Sequence, residues 1–147
     1  MAVDLLCFLT QAVASLALLG LAWFVQLVHY PLFGLVGPEH FARYEEDHVR
    51  RVTWIAAPLM LLEAGSALGL LLRRPDCVPA GAAWAGAALV GVVWGSTFLL
   101  QVPAHTRLST GFDPRTAAWL VSSSWVRTGA WTARAALITA CLAWGLD

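Results

Sequence analysis

Four runs of about 20 apolar residues, each long enough for a helix to cross the hydrocarbon of a bilayer, leave this chain few folds to choose from. They are Leu5 to Val28, Val52 to Leu72, Gly81 to Val102 and Thr128 to Leu146. Lipid offers no partner to a backbone N–H or C=O, so each run has to satisfy its own backbone as a helix. The composition agrees: 59 % of the residues are hydrophobic, 12 % are charged and the mean hydropathy is +0.70, against about 45–50 % apolar and about 25 % charged in soluble domains. The expected fold is all-α, an integral membrane four-helix bundle in a single domain, 1–147, with approximate spans 5–28, 52–72, 81–102 and 128–146. Ala12-Val13-Ala14 has the look of a signal-peptide cleavage site. Asp4 is the only charge before the first run, however, and the run continues well past that tripeptide, so it reads as a retained helix.

Two helices are expected to extend beyond the bilayer on one side. Gly37-Pro38 is a good helix start, because proline is tolerated in the first turn, and the polar stretch from Glu39 to Arg51 contains neither Gly nor Pro. Asp113-Pro114 supplies an N-cap followed by proline at the first helical position. The second helix therefore begins near Pro38 and the fourth near Pro114. Odd helices end and even helices start on one side, which holds His29, His48 and His105. That histidine side also carries Arg43, Arg50, Arg51, Arg107, Arg115 and Arg127, whereas the other flank has only Arg73 and Arg74. The positive-inside rule gives a multi-pass protein of the cell membrane with the histidine side cytoplasmic and both termini outside. Nine arginines, no lysine and nine acidic residues leave net charge zero, so the expected partners are the lipid bilayer and an apolar small molecule, with no nucleic acid.

Inside the bilayer a polar side chain needs a reason. By depth, at about 1.5 Å per residue, Glu63 and Arg134 are close enough to pair between the second and fourth helices. By periodicity, Gln11, Ser15, Gln26 and His29 share a face of the first helix, and Thr97, Gln101 and His105 share one of the third, extended inward by Trp94. Ser123, Arg127, Trp131 and Arg134 form a stripe on the fourth. On the second, Glu45 and Glu63 are 18 residues apart, about five whole turns, with His48 close to the same line. Four polar stripes can thus face one another, although Pro58 and Pro103 are expected to bend two helices and blur the registry. Trp54, Trp119 and Trp125 suit one interfacial belt and Trp84 and Trp144 the other, which leaves Trp23, Trp94 and Trp131 at the depth of the polar cluster.

Several uses of such a site remain open. Glu45 and His48, with His29 and His105, have the residue types of a metal site, and a haem held between His29 and His105 is a further option. Acid-base or oxygenase chemistry on an apolar aromatic substrate would use His29 or His105 as base and Arg127 to steady an oxyanion. Trp23, Gln26, Tyr30, Glu63, Trp94, Gln101, Trp131 and Arg134 would then line the ligand, with Tyr44 as a second phenol. The rival is a non-catalytic accessory or structural subunit whose buried polar groups only fix helix pairing. Ala83, Ala87, Gly91 and Gly95 make a small-residue ladder on the third helix, on which a homodimer could pack. Cys7, Cys77 and Cys141 lie toward the opposite side with no metal spacing and read as inert apolar residues.

The stretch Val25-Gln26-Leu27-Val28-His29-Tyr30-Pro31-Leu32-Phe33, followed by Phe41, Tyr44, His48, Arg50, Pro58 and Glu63, resembles small bacterial four-helix integral membrane proteins of unknown function. More distantly it is similar to the anthrone-oxygenase-like membrane family, whose first helix ends in an adjacent His-Pro pair. Here Tyr30 stands between His29 and Pro31. That distant resemblance implies an oxygenase-like or redox activity on polycyclic phenols; the nearer one implies the architecture alone.

Overall fold

A computed structural model describes residues 2–145 of the chain. It is a bundle of four long helical rods, and no strand occurs among the described residues. The first rod is an α-helix, Ala2–Phe24, continued by a π-turn, Val25–His29, and a 3-10 turn, Tyr30–Leu35. The second, Pro38–Leu72, is unbroken even at Pro58. The third runs Ala80–Ser96, passes through a π-turn, Thr97–Gln101, and ends as Val102–Leu108. The fourth is Pro114–Trp144. Its expected last residue, Leu146, lies outside the described residues.

Both extended helices start where their proline signals place them. At the fourth, the Asp113 carboxylate accepts hydrogen bonds from the backbone N–H groups of Arg115 and Thr116, donors that the first turn otherwise leaves unsatisfied. The first rod differs from expectation, running past Val28 to Leu35, and its α-geometry widens before Pro31. In each π-turn an N–H reaches back five residues, Tyr30 to Val25 O and Val102 to Thr97 O. Each turn ends two residues before a proline, Pro31 or Pro103. A proline lacks the N–H that the carbonyl four residues earlier needs, and its ring crowds that carbonyl. A wider turn accommodates both effects without ending the helix.

Each rod packs against its sequence neighbours, and the first also packs against the fourth, which closes the bundle. Three apolar clusters stack along its length: Phe8, Leu70, Val78 and Ile138 at one end, Leu18, Met60 and Val93 in the middle, and Phe33, Phe41, Leu108 and Leu120 at the histidine end. Gly69 lets the first two helices approach closely, since a Cβ there would come within 2.7 Å of Cys7 Sγ. The outer surface is apolar as well, with Leu6, Val13, Leu61, Leu68 and Leu99 all exposed. A soluble monomer rarely shows so continuous an apolar coat, and lipid is its natural solvent.

Length and composition qualify three of the rods to cross a membrane, those within Val3–Leu35, Pro38–Leu72 and Ala80–Leu108. The fourth does not qualify in its own right, contrary to the expectation of four independent spans. Arg127 and Arg134 lower its hydropathy, and it is housed by its contacts with the first and third helices. The small-residue ladder is not one uniform face either. A four-residue step overshoots a full turn by about 40°, so Ala83 is buried in the core while Gly91 is exposed with open space beside it.

Candidate functional site

The polar stripes meet inside the bundle in two separate networks. The deeper one joins all four helices. Glu63 Oε1 accepts hydrogen bonds from Ser15 Oγ at 2.6 Å and Arg134 Nε at 2.9 Å, while Oε2 accepts from Trp131 Nε1 at 3.2 Å. Arg134 also donates to Ser15 Oγ at 3.2 Å and to the carbonyl of Gly86. Glu63 and Arg134 are 0 % and 1 % exposed, and every charged oxygen and nitrogen of the pair has a partner. The expected pairing is therefore present. Gly86 and Ser15 complete it, and Gly86 is the member that sequence reasoning did not reveal, because its contribution is a backbone carbonyl.

The second network lies at the histidine end and is a line of four groups. Glu45 Oε1 accepts from His105 Nδ1, and the other ring nitrogen of His105 meets the hydroxyl of Tyr30 at 3.3 Å. Arg127 then donates to the Tyr30 oxygen at 3.3 Å and to Ser124 Oγ at 3.2 Å. A carboxylate on Nδ1 holds that nitrogen protonated, so Nε2 is left as the acceptor for the Tyr30 O–H. Carboxylate, imidazole, phenol and guanidinium thus form a polarised chain across four helices. Both π-turns border it. Val25–His29 leads into Tyr30, and Thr97–Gln101 precedes His105 by one helical turn.

This network is incompletely bonded. Glu45 is fully buried, yet its Oε2 has no hydrogen-bond partner among the described residues, and the same holds for Arg127 Nε and for the amide oxygens of Gln26 and Gln101. The amide nitrogens of these glutamines do bond, Gln26 to Val121 O at 3.0 Å and Gln101 to Ser123 Oγ at 3.1 Å. Buried polar atoms without partners are costly, about 1–3 kcal/mol each, and they cluster where a protein holds something other than itself.

His48 connects the line to the surface. Its ring centroid lies 4.2 Å from that of His29, nearly parallel, and 5.6 Å from that of His105. The hydroxyl of Tyr44 sits 3.5 Å from His29 Nε2. Outside these rings an open groove of about 470 Å³ runs between the end of the first rod and the extended part of the second. Half-buried Tyr44, His48 and Val52 form its inner wall with His29, and exposed His40, Arg43 and Arg51 form its outer edge. The outer-edge residues escaped sequence reasoning, although two stripes of four-residue spacing on the second helix, 40-44-48 and 43-47-51, were available to find them.

The expected metal and aromatic arrangements look different in three dimensions. Glu45, His29, His48 and His105 do come together, but His29 and His48 stack face to face, and both ring nitrogens of His105 are engaged by Glu45 and Tyr30. Among the described residues no group of three or more His, Cys, Asp or Glu is arranged to hold a metal ion. His48 fills the space between His29 and His105 in which a haem would lie. The three inner tryptophans do not line one pocket. Trp23 is 37 % exposed and bonds Thr132, Trp94 packs beside Phe98, and Trp131 belongs to the Glu63 pair.

Fold and site together define a membrane four-helix bundle with a closed ion pair inside and an open, under-bonded histidine cluster at one end. No family model, curated protein or solved structure matches the chain.

Proposed function

We propose that the histidine end binds a small apolar aromatic molecule bearing an acidic O–H and takes up its proton. The observation that carries this reading is the juxtaposition of the groove with His48, behind which stand His105 and the fully buried Glu45 with one unpartnered oxygen. A ligand O–H at the groove wall meets His48 as base. His105 and Glu45 favour the protonated imidazole through the nearby negative charge, and Arg127 offers Nε to a developing oxyanion. His48 touches the ligand; His105, Glu45 and Tyr30 act as positioning residues. Oxygenase or redox chemistry would follow from such deprotonation, because a phenolate is more readily oxidised than its phenol.

The probe is 2-naphthol, whose emission changes when its excited state loses a proton. Detergent-purified protein should bind it and show naphtholate emission, and His48→Phe, which keeps a ring in the stack, should retain binding and lose that emission. Absence of binding, or unchanged emission in His48→Phe, would sink the proposal.

The accessory reading draws on the other network, since the Glu63–Arg134 pair explains its buried charges by packing alone. Co-purification with one larger membrane complex is its test. A homodimer through the third helix would use Gly91 and Gly95, where added methyl groups meet open space, and Gly91→Cys crosslinking in native membranes reports on it. With the histidine side cytoplasmic, as the arginine bias suggests, the groove opens to the cytoplasm.

A further inference from the structure

The groove has a charge pattern that proton uptake by His48 leaves unused. Arg43, Asp47 and Arg51 recur every four residues along the second helix, one stripe over from His40, Tyr44, His48 and Val52. The span from Arg43 to Arg51 is about 12 Å at the helical rise, the length of a two-ring aromatic molecule with its substituents. Asp47 is engaged by Arg50 at 2.5 Å, which offsets its charge. Arg43 and Arg51 make no ion pair among the described residues and remain free on the open edge.

An apolar aromatic wall facing two uncompensated guanidiniums suits an amphiphile with its ring on the wall and an anion at the edge. Arginine matches a carboxylate in particular, because its planar fork can donate two parallel hydrogen bonds. The groove volume, about 470 Å³, lies at the lower end of the roughly 300–1,000 Å³ of small-molecule pockets, room for one compact ligand and too little for a two-chain phospholipid. At a membrane interface the carboxylate stays near water while the ring is buried, so charge and ring need not compete for the same environment.

We infer that the ligand of the groove is a hydroxylated aromatic carboxylate, its O–H directed to His48 and its carboxylate held by Arg43 and Arg51. This rests on the reading of the groove as a ligand site and adds the anionic group. The test compares 6-hydroxy-2-naphthoate with 2-naphthol on detergent-purified protein by fluorescence titration. The carboxylate should bind about ten-fold more tightly, with an advantage that shrinks as salt rises. Arg43→Gln/Arg51→Gln should erase the preference and leave naphthol affinity unchanged. Both side chains are exposed, and thermal unfolding verifies that the variant is folded. Equal binding of the two compounds by the unaltered protein, or a preference that survives in the double variant, overturns the inference and leaves the groove reading standing. If neither compound binds, the groove reading falls and takes the inference with it. In nanodiscs, displacement of hydroxynaphthoate by phosphatidylglycerol but not by phosphatidylcholine would assign the arginines to lipid headgroups and overturn the inference as well.

Discussion

The two polar networks share one bundle and similar residue types, yet one is closed and the other is open. Around Glu63 and Arg134, each charged atom faces a donor or acceptor supplied by another helix, and no groove reaches the pair. Around Glu45 and His105, the partners run out before the polar atoms do, and His48 leads to a groove. A buried charge that is fully partnered fixes the register of the helices that partner it. A buried carboxylate left half-partnered does that less well, and its free oxygen is available to other chemistry. Burial alone would not separate the two, for Glu45 and Glu63 are both 0 % exposed; the tally of hydrogen bonds does.

The comparison breaks most visibly at the ion pair. Arg134→Ala leaves Glu63 charged and unpaired and should cost about 3–5 kcal/mol of stability, read by denaturant unfolding in micelles. Glu63→Gln should also destabilise, and Glu63→Gln/Arg134→Gln should recover part of the loss; purely additive effects would show that the two are not partners. Glu45→Gln is expected to cost about 1.5 kcal/mol, the low end for a hydrogen bond to a charged group. If it matched Glu63→Gln in the same assay, the distinction between closed and open networks would be lost. Tyr30→Phe removes the hydroxyl between His105 and Arg127 and should cost about 1 kcal/mol, with a larger effect on the naphtholate emission than on unfolding.

The smallest expected effect lies outside both networks. Hydrogen bonds from the Thr116 side chain and backbone hold the Asp113 carboxyl below its ordinary value of 3.8. A depressed carboxyl pKa contributes stability that is present above the unfolded value and is lost as pH falls through the folded one. The melting-temperature gap between Asp113→Ala and the parent should therefore persist above about pH 4 and close at lower pH. A gap that did not narrow in acid would mean that the cap acts without its charge.

Helix number, the extended second and fourth helices and the Glu63–Arg134 pair were legible in the sequence because each depends on regular spacing along a straight helix. The inner tryptophans were misjudged because depth does not fix direction: Trp23, Trp94 and Trp131 sit at similar levels on three helices but turn to Thr132, Phe98 and Glu63. Contacts made by backbone atoms, such as Gly86 O to Arg134 and Val121 O to Gln26, have no residue-type signal at all. The groove edge failed to stand out for a different reason. Arg43, Asp47 and Arg51 look like an ordinary solvated helix face until the end of the first rod is laid against them.

The paired π-turns make the histidine end sensitive to chain length in an unusual way. A π-turn spends about one more residue per turn than an α-helix over nearly the same height, so each odd-numbered rod carries a surplus residue beside the site. Deleting one residue from Val25–His29 or Thr97–Gln101 could be absorbed without shortening the rod, by restoring regular winding. The segment beyond would then swing by about 100°, carrying Tyr30 or His105 out of line with Glu45 and Arg127. The bundle and its deep ion pair would survive such a deletion, and the polarised chain would not, so a change of one residue separates a chain that keeps only the scaffold from one that keeps the site.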